Sequence, residues 1–570
     1  MRWWGWGEDE RARAQPLPEG ARALLASELG VEAGEPAPPV ALNEVRLPDP
    51  RLPGALAERL RAIVGSEHVL DDRETRVKHA AGRGYPDLVR LRSGDASGAP
   101  DAVVLPGSAA EVGAVLGACA QAGVAVVPFG GGTSVVGGVE PLREGFEAVI
   151  SLDLARLNSM LGVDRVSLTA TLEAGVTGPA AEAALARQGL TIGHFPQSFE
   201  HSTVGGWLAT RSAGQASTGY GRVDELVEGL RFVAPAGELR VPAFPASAAG
   251  PALLELLVGS EGVLGVICEA TLRVRPVPEH RRYDGWSFRS FEEGADALRV
   301  MEQADASPDL ARLSDEEETR VSLAMAGHGR AQRLLRAYLR ARGHEGGCLA
   351  IVGFEGAEDD AERRHQRGAA LLRAGGGLAL GRRPGQAWLR ARYAAPYLRD
   401  ELLARGVLVE TLETATAWSN LSELHAAVIA ALRDSLARRG TPPLVMCHVS
   451  HLYRSGASLY FTFLARQQHD EALEQWWAAK SAASEAIVAA GGTITHHHAI
   501  GRDHARWLQA EVGELGVGLI RAAKQRLDPD GIMNPGKLLP VSPGPEATAA
   551  DGYSRSPSHG SSQSPERSAS

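Results

Sequence analysis

At 570 residues the chain is too long for one hydrophobic core and calls for two or three domains. With 44% hydrophobic and 22% charged residues it has the make-up of an ordinary globular protein, and a net charge of −10 argues against nucleic acid as a partner. Its four cysteines, Cys119, Cys268, Cys348 and Cys447, stand far apart without paired spacing, against a disulfide framework or a cysteine zinc site.

The opening MRWWGWGEDE has no apolar run of the kind a secretory leader needs, and no later stretch is apolar for long enough to cross a bilayer. The last residues do not spell a peroxisomal address, so the expected location is the cytoplasm. Residues 1–55 read as an N-terminal arm with one short helix, and 56–96 as a helical segment. Over 97–277 strands alternate with helices. DAVVLP is a buried strand; SAAEVGAVLGACAQAG is an amphipathic helix opened by Ser108 and closed by Gly123; VAVVPF is a strand that runs straight into GGGTSVVGG. EAVISL and SLTATLEAG follow as strands and GPAAEAALARQG as a helix. Over 278–500 the pattern becomes an α+β mixture. LVMCHVSHLY and ASLYFTFLA are strands joined through Gly456, and DEALEQWWAAKSAASEAIVAAGG is a long helix. GGTITHHHAIG, residues 491–501, then reads as a strand entering three consecutive histidines. A helical segment over 501–541 returns to the first domain, and the Ser/Pro/Gly-rich 542–570 reads as a disordered tail.

Three loops carry the chemistry of the first domain. PFGGGTS (128–134), HSTVGGWLATRSAG (201–214) and VGSEGVLGVICEATLRVRP (258–276) each adjoin a strand and are rich in glycine and hydroxyl side chains. Glycine lets backbone N–H groups approach a pyrophosphate closely, and three such loops together suit one large dinucleotide. None matches the G-x-G-x-x-G fingerprint. The histidine run suggests a metal first, but on a strand adjacent side chains point to opposite faces, so His496, His497 and His498 cannot all reach one ion. A solvated loop and a polar cluster lining an active site remain.

These loops, with WWGWG, RPVPE, GASLYF and the triple histidine, resemble the alkyldihydroxyacetonephosphate synthase family, within the vanillyl-alcohol oxidase / p-cresol methylhydroxylase superfamily. The resemblance runs in order from residue 2 to about 540. It implies an α+β fold: a two-subdomain FAD-binding domain of the p-cresol methylhydroxylase type over 97–277 beneath an α+β cap over 278–500. It implies FAD contacts from Pro128, Phe129, Gly130, Gly131, Gly132, Thr133, Ser134, Ser202, Thr203, Gly205, Gly206, Thr210, Arg211, Gly214, Glu261, Gly262, Gly265, Val266, Ile267 and Arg312. The FAD is expected to be noncovalent, because the first loop holds Gly132 and Thr133 where covalent relatives often carry a histidine. Asn534, Pro535, Gly536 and Lys537 form an ending that recurs near the flavin, or a plain turn after a helix.

The implied reaction replaces the acyl chain of acyl-dihydroxyacetone phosphate by a long-chain fatty alcohol, with no net oxidation. Tyr460 matches the family's catalytic tyrosine; its phenol needs cations or hydrogen bonds nearby to act as a base, and an aromatic is also an ordinary occupant of a strand face. Arg399 matches an arginine that holds an anionic substrate group, and otherwise is a surface arginine. His496, His497 and His498 are expected at the substrate head, donating to phosphate and moving a proton, with no metal. A homodimer and a peripheral membrane contact are both compatible with the chain. Two alternatives stand beside this reading: an FAD-linked oxidase or dehydrogenase of a 2-hydroxy acid such as D-lactate or glycolate, and a non-catalytic His-rich metal-binding or lipid-carrier protein.

Overall fold

The computed structural model describes residues 1–7, 17–32, 34–143, 145–326 and 329–539. The segment 542–570, read above as a tail, lies outside the described residues.

Strands β1 (Val69–Leu70), β2 (Ala102–Val104), β3 (Ala125–Phe129) and β4 (Val149–Asp153) form a sheet in the order β1-β2-β4-β3, with β4 parallel to β2 and β3. The parallel strands are near-continuous apolar runs, as strands buried on both faces must be. Helix Ala109–Ala122 links β2 to β3; the Ser108 hydroxyl accepts from Glu111 N–H at its start, and Gly123 ends it at φ 63°. Next come β5 (Met160–Asp164), β6 (Thr169–Glu173), β7 (Leu190–Thr191), β8 (Val227–Ala234), β9 (Gly237–Val241) and β10 (Val266–Arg273). All but β7 join a second, antiparallel sheet in the order β5-β6-β10-β8-β9. One apolar cluster, including Leu116, Ile150, Leu172 and Phe232, runs beneath both sheets. Strand β11 (Arg275–Pro276) pairs with β7 where the chain enters the cap.

The cap sheet contains β12 (His280–Phe288), β13 (Leu310–Ser314), β14 (Cys348–Gly356), β15 (Leu378–Gly381), β16 (Val407–Ala417), β17 (Leu444–Leu452) and β18 (Gly456–Arg466). It is antiparallel, in the order β15-β12-β14-β13-β17-β18-β16. Helices Phe291–Gln303, Leu421–Arg438 and Ala472–Ala489 cover one face, where Leu298, Leu432 and Trp476 share a core with Phe461 and Phe463.

The segment before the histidines is not a strand. Its Thr and Ile favour β structure, but Gly491 (φ 70°) turns the chain as the preceding helix ends. Thr493 N–H then donates to the Ala415 carbonyl at 3.0 Å, and Thr414 Oγ1 to the Thr493 carbonyl at 2.6 Å. The loop is thereby laid against the end of β16 without a ladder.

Residues 1–7 fold back onto helix Ala395–Leu403. Trp6 N–H donates to Asp400 Oδ2 at 2.6 Å, and the Arg2 guanidinium meets the same oxygen at 2.8 Å. Trp3 and Trp6 are buried, and the Arg2 guanidinium lies 4.0 Å from the Trp4 ring centre. Helix Glu19–Leu29 then packs Ala21, Leu25 and Leu29 beside Leu402, Val409, Met446 and Leu464. Among the described residues no helix is long and apolar enough to cross a membrane.

Asp400→Ala leaves the Trp6 N–H and the Arg2 guanidinium without their acceptor. A loss of about 1–3 kcal/mol is expected, read as a lower urea midpoint at unchanged slope. A midpoint equal to that of the parent would show that the amino-terminal segment docks independently of this carboxylate.

Candidate active site

A cavity of about 520 Å³ lies between the glycine loops and the uncovered face of the cap sheet. The loops form one wall because they are pressed onto each other. A Cβ at Gly131 would collide with the carbonyl oxygen of His201 in the second loop; one at Gly262 (φ 74°) would lie 2.9 Å from Pro128 in the first. All the cofactor-binding residues expected from sequence line the cavity except Arg211 and Gly214. Arg211 instead pairs with Asp224 at 3.1 Å and Glu255 at 2.8 Å, while Gly214 packs closely on the Phe195 backbone. The loop wall also carries a buried Ser260 hydroxyl without a protein partner. A backbone-lined cradle of this size, with spare donors, fits a dinucleotide.

Glu261 lines the cavity but its carboxylate is spent elsewhere. It accepts from Ile500 N–H at 2.9 Å and Gly501 N–H at 2.6 Å, and burial pushes its pKa up to about 7. Asn534 Nδ2 donates to the carbonyls of Gly138 and Glu261, and Lys537 Nζ donates to the carbonyl of Glu140. The chain's NPGK ending is thus a strap across the first and third loops.

The opposite wall follows from strand alternation. On β16, β18 and β17, residues Glu413, Tyr460 and His448 are directly paired neighbours and share a face. Further along that face come Thr411, Thr462 and Met446, then Val409, Leu464 and Leu444. The intervening residues, including Leu412, Phe461 and Cys447, point into the cap core. The cavity wall therefore changes along the strands from imidazole and phenol to bare hydrocarbon. Leu25 and Leu29 from the amino-terminal helix close the hydrocarbon end with Val321 and Met325.

Tyr460 stacks on His448, ring centres 5.0 Å apart. His448 Nδ1 lies 3.1 Å from Glu318, and the other Glu318 oxygen meets Arg312 at 2.5 Å. Burial opposes the charge of Glu318, yet Arg312 and His448 hold it below the usual carboxylate range. Arg312, assigned from sequence to the flavin, lines the cavity in this ion pair. Arg399 also lines it; the side chain is buried, donates to the Arg83 carbonyl and keeps Nε without a protein partner.

Glu413 shapes the histidine loop. Its buried carboxylate accepts the N–H groups of His496, His497 (3.1 Å) and His498 (2.7 Å), together with the Thr495 hydroxyl at 2.7 Å. Burial opposes its charge, but this shell of donors and imidazoles keeps it well below the usual carboxylate range. His497 and His498 face the cavity, whereas His496 lies behind it. His496 Nε2 meets the Tyr453 hydroxyl at 2.6 Å, and its Nδ1 lies 2.9 Å from His497 Nδ1. Burial keeps all three imidazoles neutral, including His498, whose ring lies 3.6 Å from Glu413.

Sequence reasoning missed Glu413, Glu318, His448 and His451. Only the alternation in LVMCHVSHLY hinted at the histidines, placing His448 on the face shared with Met446.

A family described as FAD binding domain matches residues 100–241, and FAD linked oxidases, C-terminal domain, matches 277–538. The chain is similar to an alkyldihydroxyacetonephosphate synthase of Dictyostelium discoideum, 32% identical over 573 residues, which span 95% of this chain and 94% of that protein. It is also similar to a solved alkyldihydroxyacetonephosphate synthase, at TM-score 0.81 and 30% identity over 94% of this chain and 98% of that one. A structure of p-cresol methylhydroxylase, at TM-score 0.63 and 15% identity over 85% and 96% of the two chains, shares the fold.

Burial lowers the pKa of His194, His498 and His504 to about 3, so each stays neutral in the folded chain. Unfolded, each takes up a proton below about 6.5. The unfolded state binds more protons in that window, so stability present above pH 6.5 is lost as pH falls toward 3. His498→Asn should flatten the dependence of unfolding free energy on pH by about 1.4 kcal/mol per unit between pH 6 and 4. Equal slopes in parent and variant would show that His498 is not held neutral.

Proposed function

The chain belongs to the alkyldihydroxyacetonephosphate synthase family, and from that premise we propose that it exchanges the acyl chain of acyl-dihydroxyacetone phosphate for a long-chain fatty alcohol. The polarity gradient along one face of the cap sheet carries this reading. A phosphorylated ketone suits the end where Arg399, Tyr460, His497 and His498 meet the glycine loops; long chains suit the hydrocarbon end from Met446 to Leu25. A 2-hydroxy acid would leave the hydrocarbon end without an occupant.

FAD, bound in the glycine-loop cradle, supplies an electron-accepting ring for an exchange that is redox-neutral overall. Side chains of the cap do the rest. Burial pushes the Tyr460 phenol up to about 12, against a hydrogen bond with Thr411, so the hydroxyl stays protonated at neutral pH. In this reading Tyr460 donates a hydrogen bond to the ketone oxygen, and another group on the same wall serves as the base. A neutral imidazole on the same wall, that of His497, accepts the proton that leaves the neighbouring carbon. Arg399 brings the cation for the phosphate.

The deciding experiment incubates the FAD-loaded protein with acyl-dihydroxyacetone phosphate and hexadecanol. An ether-linked product with release of the fatty acid supports the reading; flavin reduction by a 2-hydroxy acid without ether formation overturns it.

Tyr460→Phe keeps the ring on its strand and removes the hydroxyl. Flavin content should persist, while ether formation and exchange of the substrate's C1 hydrogen fall by about 10²–10⁴. Turnover near that of the parent would remove this hydroxyl from the mechanism.

The first glycine loop has no histidine, so all FAD should appear in the supernatant after acid precipitation. Flavin remaining with the polypeptide would contradict noncovalent binding.

Substrates with long chains reside in membranes, and helix Arg330–Ala341 presents exposed Leu334 and Tyr338 among Arg330, Arg333, Arg336 and Arg340. This pattern suits an anionic lipid surface. Leu334→Glu should reduce sedimentation with phosphatidylglycerol vesicles several-fold; undiminished sedimentation would place the contact elsewhere.

A further inference from the structure

The three adjacent histidines do not converge on one point, but a different trio does. One ring nitrogen from each of His451, His496 and His497 lies within 4.8 Å of the other two. His451 comes from the end of β17 beside a register shift in its pairing with β18; the other two come from the loop knotted by Glu413. The His451 and His496 rings are stacked with centres 5.0 Å apart, and the His496 and His497 rings meet edge-on at 5.1 Å.

We propose that His451, His496 and His497 form a binding site for a divalent transition-metal ion of the zinc class, with its fourth position open to the substrate cavity. Three imidazoles with one open position is a known zinc arrangement, with Zn–N of about 2.0–2.1 Å and hence nitrogens roughly 3.3 Å apart. His496 Nδ1 and His497 Nδ1 are already 2.9 Å apart. The His451 nitrogen lies within 4.8 Å of both and moves closer on binding.

The outer groups that orient ligating imidazoles are also in place. His451 Nδ1 meets the Ser217 hydroxyl at 2.6 Å, which leaves Nε2 for the ion. His496 Nε2 meets the Tyr453 hydroxyl at 2.6 Å, which leaves Nδ1. Such partners fix the tautomer and aim of a metal-bound histidine. On binding, the proton shared between the two Nδ1 atoms moves to an Nε2 atom, so the imidazoles stay neutral and no net proton is released. Imidazole nitrogens without thiolates favour zinc, copper or nickel over magnesium or calcium.

His451 and His497 line the substrate cavity. A filled site therefore takes His497 away from proton transfer, and the ion acts as an inhibitor. That consequence rests on the function proposed above; the binding site does not.

The test uses the FAD-loaded full chain and zinc sulfate. Equilibrium dialysis should show one zinc per chain held at micromolar free zinc, and X-ray absorption should give a shell of three imidazole nitrogens and one water oxygen. His451→Gln should weaken binding at least tenfold, and Ser217→Ala, which leaves all three ligands present, by about tenfold. Ether formation should drop at least tenfold in the zinc-loaded protein and return with a chelator. No bound zinc, a shell without three imidazoles, or His451→Gln binding like the parent would each overturn the site. Full turnover with zinc bound would overturn the inhibition. The dialysis and absorption measurements need no catalysis, so failure of the proposed reaction would show separately.

Discussion

The candidate site depends on one buried carboxylate. Glu413 stands on β16, and its two oxygens collect three successive backbone N–H groups and a hydroxyl from a segment more than 80 residues later. A loop of three histidines with no ladder of its own takes its fixed shape beside the cavity chiefly from these bonds. The arrangement also separates roles among identical residues. Once the backbone is pinned, His497 and His498 face the cavity and His496 turns back toward Tyr453. An isolated buried charge would be costly, and here the donors that offset the cost are the loop that needs positioning.

The second organising element is the pleat. Alternation gives β16, β17 and β18 one face for the cap core and one for the cavity, and register sets Glu413, Tyr460 and His448 in one row. A shift by one residue would exchange Tyr460 for the core residue Phe461. The same rows that carry the polar groups end in Val409, Leu444 and Leu464, so head-group chemistry and chain accommodation share one rigid support. The glycine loops meet this support through Glu261, whose carboxylate grips the backbone just past the histidines.

What the sequence disclosed follows physical range. The glycine loops were legible because close backbone approach demands glycine at particular positions, a local requirement written in consecutive letters. Helix Ala109–Ala122 was legible through its Ser108 cap and terminal glycine. Tyr460 and Arg399 stood out only by resemblance, since a strand aromatic and an arginine carry no mark of their own. Glu413 and Glu318 were not legible, and His448 and His451 only as a hint from strand alternation: their meeting depends on strand register and on a loop docked from far along the chain. The threonines and isoleucine before the histidines suggested a strand because intrinsic preference is local, and hydrogen bonds to β16 and Glu413 overrode it. The Arg211 side chain went to Asp224 and Glu255 for the same reason, in that its partners were invisible from its neighbourhood.

The docking of residues 1–7 and of helix Glu19–Leu29 has a consequence for how the molecule is made. Trp6 is held by Asp400, and Leu25 sits beside Val409, Met446 and Leu464, so these contacts span nearly the whole ribosomal synthesis of the cap. Helix Glu19–Leu29 must wait for strands that are made much later. Contacts of such sequence separation form slowly and only after their partners have folded. The hydrocarbon end of the cavity therefore closes only after β18 has been made, and until then the nascent chain carries an open greasy trough.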